Sequence, residues 1–133
     1  MTKTTIRNAV FALLAATAAA SPAFAGECPA NKAGVNPLTG APTSPKAVTD
    51  TVIGSVDLNA EINVPDRQLR TRRLVVQPGG IVPLHSHKDR PALIYTVSGS
   101  ITEYRSSCMV PIQHKAGDIA READGISHYW INH

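Results

Sequence analysis

Little in this 133-residue chain marks a familiar chemistry. Aromatic residues make up 5% of it, with one Trp, three Tyr and two Phe. No G-x-S-x-G, P-loop or G-x-G-x-x-G occurs, so the sequence carries no signature of an α/β-hydrolase nucleophile, a nucleotide phosphate cradle or a dinucleotide fold. There are two cysteines, not in C-x-x-C spacing, which excludes a thioredoxin-like redox pair. No internal repeat is present. Charge of one sign is also lacking, with thirteen basic residues against ten acidic ones. The nearest approach to a basic cluster is Arg67, Arg70, Arg72 and Arg73. Strand alternation divides these arginines between two faces, and no aromatic residue is interleaved to stack on bases, so the sequence offers no nucleic-acid surface.

The one long apolar run lies at the start. Lys3 and Arg7 precede an apolar segment from Ala9 to Ala20, Ser21-Pro22 breaks it, and Ala23-Phe24-Ala25 stands before Gly26. This is the order of a secretory signal peptide, Met1–Ala25, cleaved after Ala25. The run is shorter than the roughly 20 residues a bilayer span needs, which disfavours a membrane anchor. Glu27 before Cys28 disfavours lipid attachment. The expected location is the periplasm or the medium. Removal of Lys3 and Arg7 brings the net charge from +3 down to about +1, so the high isoelectric point is no argument for a polyanionic partner. In an exported chain Cys28 and Cys108 are more naturally a disulfide than a redox site. A bridge would contribute about 4 kcal/mol through chain entropy, and it requires the two Cα atoms to come within about 7 Å, which the sequence leaves open.

Residues 26–50 carry Pro29, Pro37, Pro42 and Pro45 and keep no helical or strand period. They read as an arm, either laid on the body and pinned by Cys28 or free as a leader. From residue 51 to the end the pattern becomes short β-type runs between turn signals. The candidates are Thr51–Leu58, Leu69–Gln77 (ended by Pro78-Gly79-Gly80), Ala92–Val97, Ile101–Arg105, Cys108–His114, Ile119–Glu122 and Ser127–Asn132. Ser98-Gly99-Ser100 suggests that Ala92–Val97 and Ile101–Arg105 form a hairpin. No stretch is long and amphipathic enough for a substantial helix. The expected class is all-β, a sandwich or barrel.

The residues that carry chemistry are histidines. His85 and His87 stand at i and i+2, which in a strand puts both imidazoles on one face, roughly 6–7 Å apart. Ser86 between them points away. With His128 from a distant strand they make a candidate metal set, imidazole being the commonest metal-binding side chain.

These residues also fall in a pattern. Gly80-x4-His85-x-His87, with Gly99 closing the next strand, resembles the first motif of the cupin superfamily. Gly117-x5-Ala123-x-Gly125-x2-His128-x3-Asn132 resembles the second, with Ala123 replacing the usual proline. The two segments cover about the last 55 residues. The resemblance is to a small single-domain exported cupin of the conserved-barrel type. It implies a jelly-roll β-barrel (a double-stranded β-helix) with the metal inside, held by His85, His87 and His128. Gly80 and Gly117 would sit in positive-φ turns that aim the histidines inward.

Two departures accompany the likeness. Ala92 occupies the position where cupins with a full ligand set commonly supply a carboxylate, so three histidines would hold the ion, whether Zn, Fe, Mn, Ni or Cu. A site without the carboxylate is more positive and favours an anionic ligand. The chain also reaches His133 one residue after Asn132, so the barrel is expected to lack its last strand or to be covered by the arm or a second subunit, with a homodimer as the default. Ala92, Ile94 and Thr96 share the inward face and would give a mostly apolar pocket floor. Trp130 and Asn132 share the face of His128; Trp130 would serve as pocket wall or core filler, Asn132 as a ligand-orienting group or a backbone partner. Arg90 would bind a carboxylate or phosphate at the mouth, or stand as an exposed loop cation. His114 reads as a surface residue rather than a support for the ligands.

Two functions follow from the resemblance. One is catalysis on a small, anionic organic molecule, of dioxygenase or isomerase type. The other is capture of a small ligand or metal without turnover. No general acid or base stands beside the histidines in the sequence, which leaves enzymatic activity open.

Overall fold

The seven segments that become strands are short of helix formers and rich in residues that suit a pleated surface. In the computed structural model, which describes residues 26–133, they are β1 (Lys46–Asp57), β2 (Gln68–Ser86), β3 (Ala92–Tyr95), β4 (Ser100–Arg105), β5 (Ile112–Lys115), β6 (Ile119–Glu122) and β7 (Ser127–Ile131). The predicted leader, Met1–Ala25, lies outside the described residues. The chain is all-β and antiparallel. Five strands form one sheet in the order β1-β2-β7-β4-β5, and β3 and β6 form a second. One short helix, α1 (Leu58–Ile62), joins β1 to β2; Asp57 accepts a hydrogen bond from the Asn59 amide at 2.9 Å, and Asn63 ends the helix at φ 54°.

Three expectations about elements need correction. β1 starts at Lys46, inside the stretch read as an arm, because Val48, Thr49, Thr51 and Val52 pair with β2 despite the prolines upstream. β2 does not end at Pro78-Gly79-Gly80. It kinks there and continues to Ser86, so that its first part pairs with β1 and its last part with β7. The positive φ belongs to Gly79 (73°) rather than to Gly80. Gly80 is required for another reason: a Cβ there would lie 2.6 Å from the Gln77 carbonyl oxygen and 2.9 Å from that of Ala47. Finally, β3 and β4 do not form a hairpin. β3 pairs with β6, and β4 pairs with β5 and β7, so the turn around Gly99 carries the chain from one sheet to the other.

Alternation sets the interior. His114 and Ile112 of β5, Ala120 and Glu122 of β6, and His128 and Trp130 of β7 point in, while their neighbours do not. The interior is more polar than the sequence suggests. Glu103, Arg105, His114, Glu122 and His128 are all buried beside Cys108, Ile112, Ala120 and Trp130.

The arm lies along the body. Gly34 and Asn36 donate to the carbonyls of Ser107 and Ser106, Met109 donates to that of Lys32, and Leu84 to that of Pro42. Cys28 and Cys108 are bridged, with Cα atoms 5.8 Å apart across 80 residues of sequence. Replacing both cysteines with serine is expected to lower stability by about 2–5 kcal/mol. Urea unfolding of the two proteins measures it; an unchanged midpoint would mean that the bridge adds nothing to the arm's other contacts.

Candidate metal centre

His85 is on the last part of β2, directly opposite His128 of β7 in the strand register. His87 follows β2 at the start of the loop Lys88-Asp89-Arg90-Pro91 and is 4% exposed. The three Nε2 atoms form a nearly equilateral triangle. His85 to His87 is 3.1 Å, His87 to His128 is 3.0 Å, and His128 to His85 is 3.1 Å.

The other ring nitrogens explain why these atoms can ligate. His85 Nδ1 donates to the Pro83 carbonyl at 2.8 Å, and His87 Nδ1 to the Arg90 carbonyl at 2.7 Å. His128 Nδ1 donates to Glu103 Oε1 at 2.7 Å. Carbonyl oxygens only accept, so His85 and His87 carry the proton on Nδ1 and present Nε2 lone pairs to the centre; at His128 the 2.7 Å contact with the Glu103 carboxylate sets the same tautomer over the longer 3.2 Å approach of the Trp130 indole N–H, itself a donor. Three converging lone pairs with no proton between them repel, and a cation at their focus removes that repulsion. Nitrogens ~2.1 Å from one ion stand about 3.0 Å apart when the angles at the ion are right angles, and about 3.4 Å apart when they are tetrahedral. The observed separations of 3.0–3.1 Å lie close to what three imidazoles would need to hold one ion together. The residues therefore fit a divalent ion.

Burial pulls the pKa values of His87 and His128 below the ordinary value. The Arg90 carbonyl opposes this at His87 and Glu103 opposes it at His128, and in both the net shift is downward. Both rings are thus neutral at neutral pH, as ligands must be.

Behind His128 lies a buried ionic cluster that the sequence reading missed. Glu103 accepts from Arg105 Nε at 2.8 Å and Nη2 at 2.9 Å, and from His114 Nε2 at 2.9 Å, besides His128. Burial would raise its pKa, but the hydrogen bonds from His114, His128 and Arg105 outweigh that and hold Glu103 well below the usual carboxylate range. Arg105 also reaches Glu122 Oε1 at 3.2 Å and Glu27 Oε2 at 3.0 Å. Glu122 behaves oppositely to Glu103: burial first, then the charge of Glu103, push it up to about 8. Its Oε2 is 3.2 Å from His128 Nδ1. That proton is already directed at Glu103, so Glu122 Oε2 has no hydrogen-bond donor among the described residues. A protonated Glu122 resolves the arrangement by donating to the carboxylate of Glu103.

The remaining candidates fall as follows. Ala92 pairs directly with Glu122 in the strand register, so the position without a carboxylate faces one supplied by the neighbouring strand. Ala92 and Ile94 of β3 and Thr96 just beyond it are each half-buried. The mostly apolar floor does not hold, because Glu103, Arg105 and Glu122 occupy the interior. Trp130 is buried and packs against both His114 and His128, with ring centroids 4.5 and 5.5 Å apart. Asn132 is a backbone partner: its Nδ2 donates to the Val76 carbonyl at 2.8 Å and fixes the kink in β2. Arg90 is exposed and touches the centre only through its carbonyl. His114, read as a surface residue, is fully buried and supports His128 through Glu103.

No protein-family model, curated protein or solved structure matches this chain. What it does has to be argued from its own geometry.

Proposed function

We propose that this chain is an exported, cupin-type jelly-roll protein that holds one divalent metal ion with His85, His87 and His128 and offers the ion's open side to a small anionic molecule. The observation that carries the reading is the Nε2 triangle with every Nδ1 committed elsewhere. Three neutral ligands leave the charge of the ion uncompensated, and Glu103 is already balanced by Arg105, so an anion is the ligand the centre favours. A divalent ion would supply Lewis acidity there, and a redox-active one would add dioxygen chemistry. The disulfide is consistent with an oxidising compartment, and no helix among the described residues is long and apolar enough to cross a membrane.

A non-catalytic binding module is favoured over an enzyme by one observation. Glu103 and Glu122 meet His128 at Nδ1, on the side of the ring away from the Nε2 triangle. They orient the ligand and do not reach the open positions, so neither is placed to exchange a proton with a bound molecule.

The partner we favour for assembly is a second copy. Beyond its kink toward the chain start, β2 pairs with β1 alone, and a two-stranded hairpin is marginal in water. This hairpin exposes Val52, Ile53, Leu69 and Leu74, while the β3–β6 sheet exposes Leu93 and Tyr95 and has two open edges. Exchange of hairpins between two copies covers both surfaces reciprocally.

The test is elemental analysis of untagged protein from the exported fraction, with its mass in solution measured on the same sample. About one divalent ion per chain, removed by chelation with a fall in the melting temperature, is the expected result. Folded protein that takes up no metal on reconstitution would end the reading, and a monomeric mass would end the hairpin exchange.

A further inference from the structure

Where the leader is expected to be cut, three consecutive residues are anchored in the body. Gly26 is buried, at φ 88°. Glu27 spends one carboxylate oxygen on Arg105 Nη1, at 3.0 Å, and the other on the Arg121 amide, at 3.2 Å. Cys28 is bridged to Cys108. The neighbour of Gly26 is His114: a Cβ on Gly26 would lie 2.8 Å from His114 Nδ1, 3.2 Å from the Ile119 carbonyl oxygen and 3.3 Å from Asp118 Cβ.

His114 Nδ1 is itself unusual. The ring is fully buried. Its Nε2 faces a carboxylate oxygen of Glu103, which only accepts, so the ring proton is on Nε2 and Nδ1 is a bare acceptor. No donor reaches it among the described residues. Buried acceptors are rarely left without a donor, and this one lies against the residue whose nitrogen changes chemically on processing. In the precursor the Gly26 nitrogen is a peptide amide with one hydrogen. After cleavage between Ala25 and Gly26 it is an α-amino group with up to three donors and a positive charge in its protonated form. Buried Asp118 borders the same slot through its Cβ, while its Oδ2 accepts from the Lys115 amide at 3.0 Å.

We propose that the slot formed by His114, Asp118 and the Ile119 carbonyl is the binding site for the chain's own processed terminus. The Gly26 α-amino group donates to His114 Nδ1. The contact extends a continuous line of hydrogen bonds, from Gly26 through His114 and Glu103 to Nδ1 of His128. Leader removal thereby completes the support of a candidate metal ligand, so that the finished centre belongs to the mature protein and not to the precursor. A side chain at residue 26 would collide with the ring, which is why glycine stands there. The inference rests on the leader reading and is independent of whether the centre holds metal.

The experiment uses mature protein from the exported fraction. Intact mass first fixes the first residue. Brief treatment with an amine-reactive reagent near neutral pH, followed by peptide mapping, then compares the terminal amine with exposed lysines in native and in urea-unfolded protein. The expected result is a chain that begins at Gly26, whose amine reacts at least tenfold more slowly when native and at the ordinary rate when unfolded. A folded His114→Leu variant should lose that protection. A different first residue, a freely reactive amine in the native protein, or equal protection in folded His114→Leu would each overturn the proposal.

Discussion

Alanine at His87 is expected to abolish stoichiometric metal binding, lowering affinity by at least a hundredfold while leaving a folded protein. The ring supplies one of three converging Nε2 atoms, 3.0–3.1 Å from the other two. Two imidazoles do not close a site that three hold on one face of an ion. His87 is the most informative position because its Nδ1 partner is a backbone carbonyl rather than the ionic cluster, so metal binding is lost without disturbing Glu103. Alanine at His128 should remove metal to the same extent but also leave Glu103 short of a donor. The pair of variants therefore separates the two roles. Competition against a chelator reads the affinity, and unfolding of the metal-free proteins reads the structural cost. Acid should mimic the substitutions. The neutral forms of His87 and His128 bind the ion, and burial lowers both pKa values, so binding persists down through the ordinary histidine range and is lost only as pH falls through the lowered values. Retention of metal by His87→Ala at the wild-type affinity would place the ion elsewhere.

The sequence made the three candidate ligands legible because two of their constraints are local. The H-x-H spacing suggests a common face, and the glycines and asparagine around His128 carry the resemblance that singled it out. The cluster behind His128 was not legible, although Glu103 and Arg105 also stand at i and i+2 in a run correctly read as a strand. Alternation shows that two residues share a face but not that the face is inward, and charged residues are assigned to solvent by default. Only the register of β4 beside β7, with Glu103 opposite Trp130 and Arg105 opposite His128, turns both inward. His114 was misplaced for the same reason. The expected β3–β4 hairpin failed for a different one. A Ser-Gly-Ser turn looks alike whether the next strand pairs back or crosses to another sheet, and the deciding contacts, Ala92 with Glu122 and Tyr95 with Ile119, span more than twenty residues. The kink at Pro78-Gly79-Gly80 has breaker chemistry, yet the strand resumes because Asn132 bonds the backbone on both sides of it.

The largest loss of stability should come from Glu103→Ala, about 3–5 kcal/mol. Glu103 is fully buried and is the common acceptor for Arg105, His114 and His128. Its removal leaves a buried guanidinium dependent on Glu27 and Glu122, and strips both imidazoles of their charged acceptor. Two other carboxylates touch the same guanidinium, and their physics ranks them differently. Glu27 is 35% exposed, so solvent screens its pair with Arg105 and its loss should cost about 1 kcal/mol. Glu122 is fully buried yet holds its proton up to about pH 8, so Glu122→Gln replaces one neutral hydrogen-bonding group with another, should cost little in acid, and should become stabilising relative to wild type as pH rises toward neutrality. The sign of its pH dependence is the sharper test. The unfolded chain releases this proton near the ordinary carboxylate value of about 4.3 and the native protein only near 8, so the wild-type contribution is complete in acid and is lost as pH rises between them, by up to about 1.4 kcal/mol per unit. The Gln variant should lack that slope. Urea unfolding of metal-free wild type and the three variants at pH values from about 5 to 8 checks the order Glu103, Glu27, Glu122. Equal losses at the three positions would mean that the charge in this cluster is shared among them rather than held by Glu103.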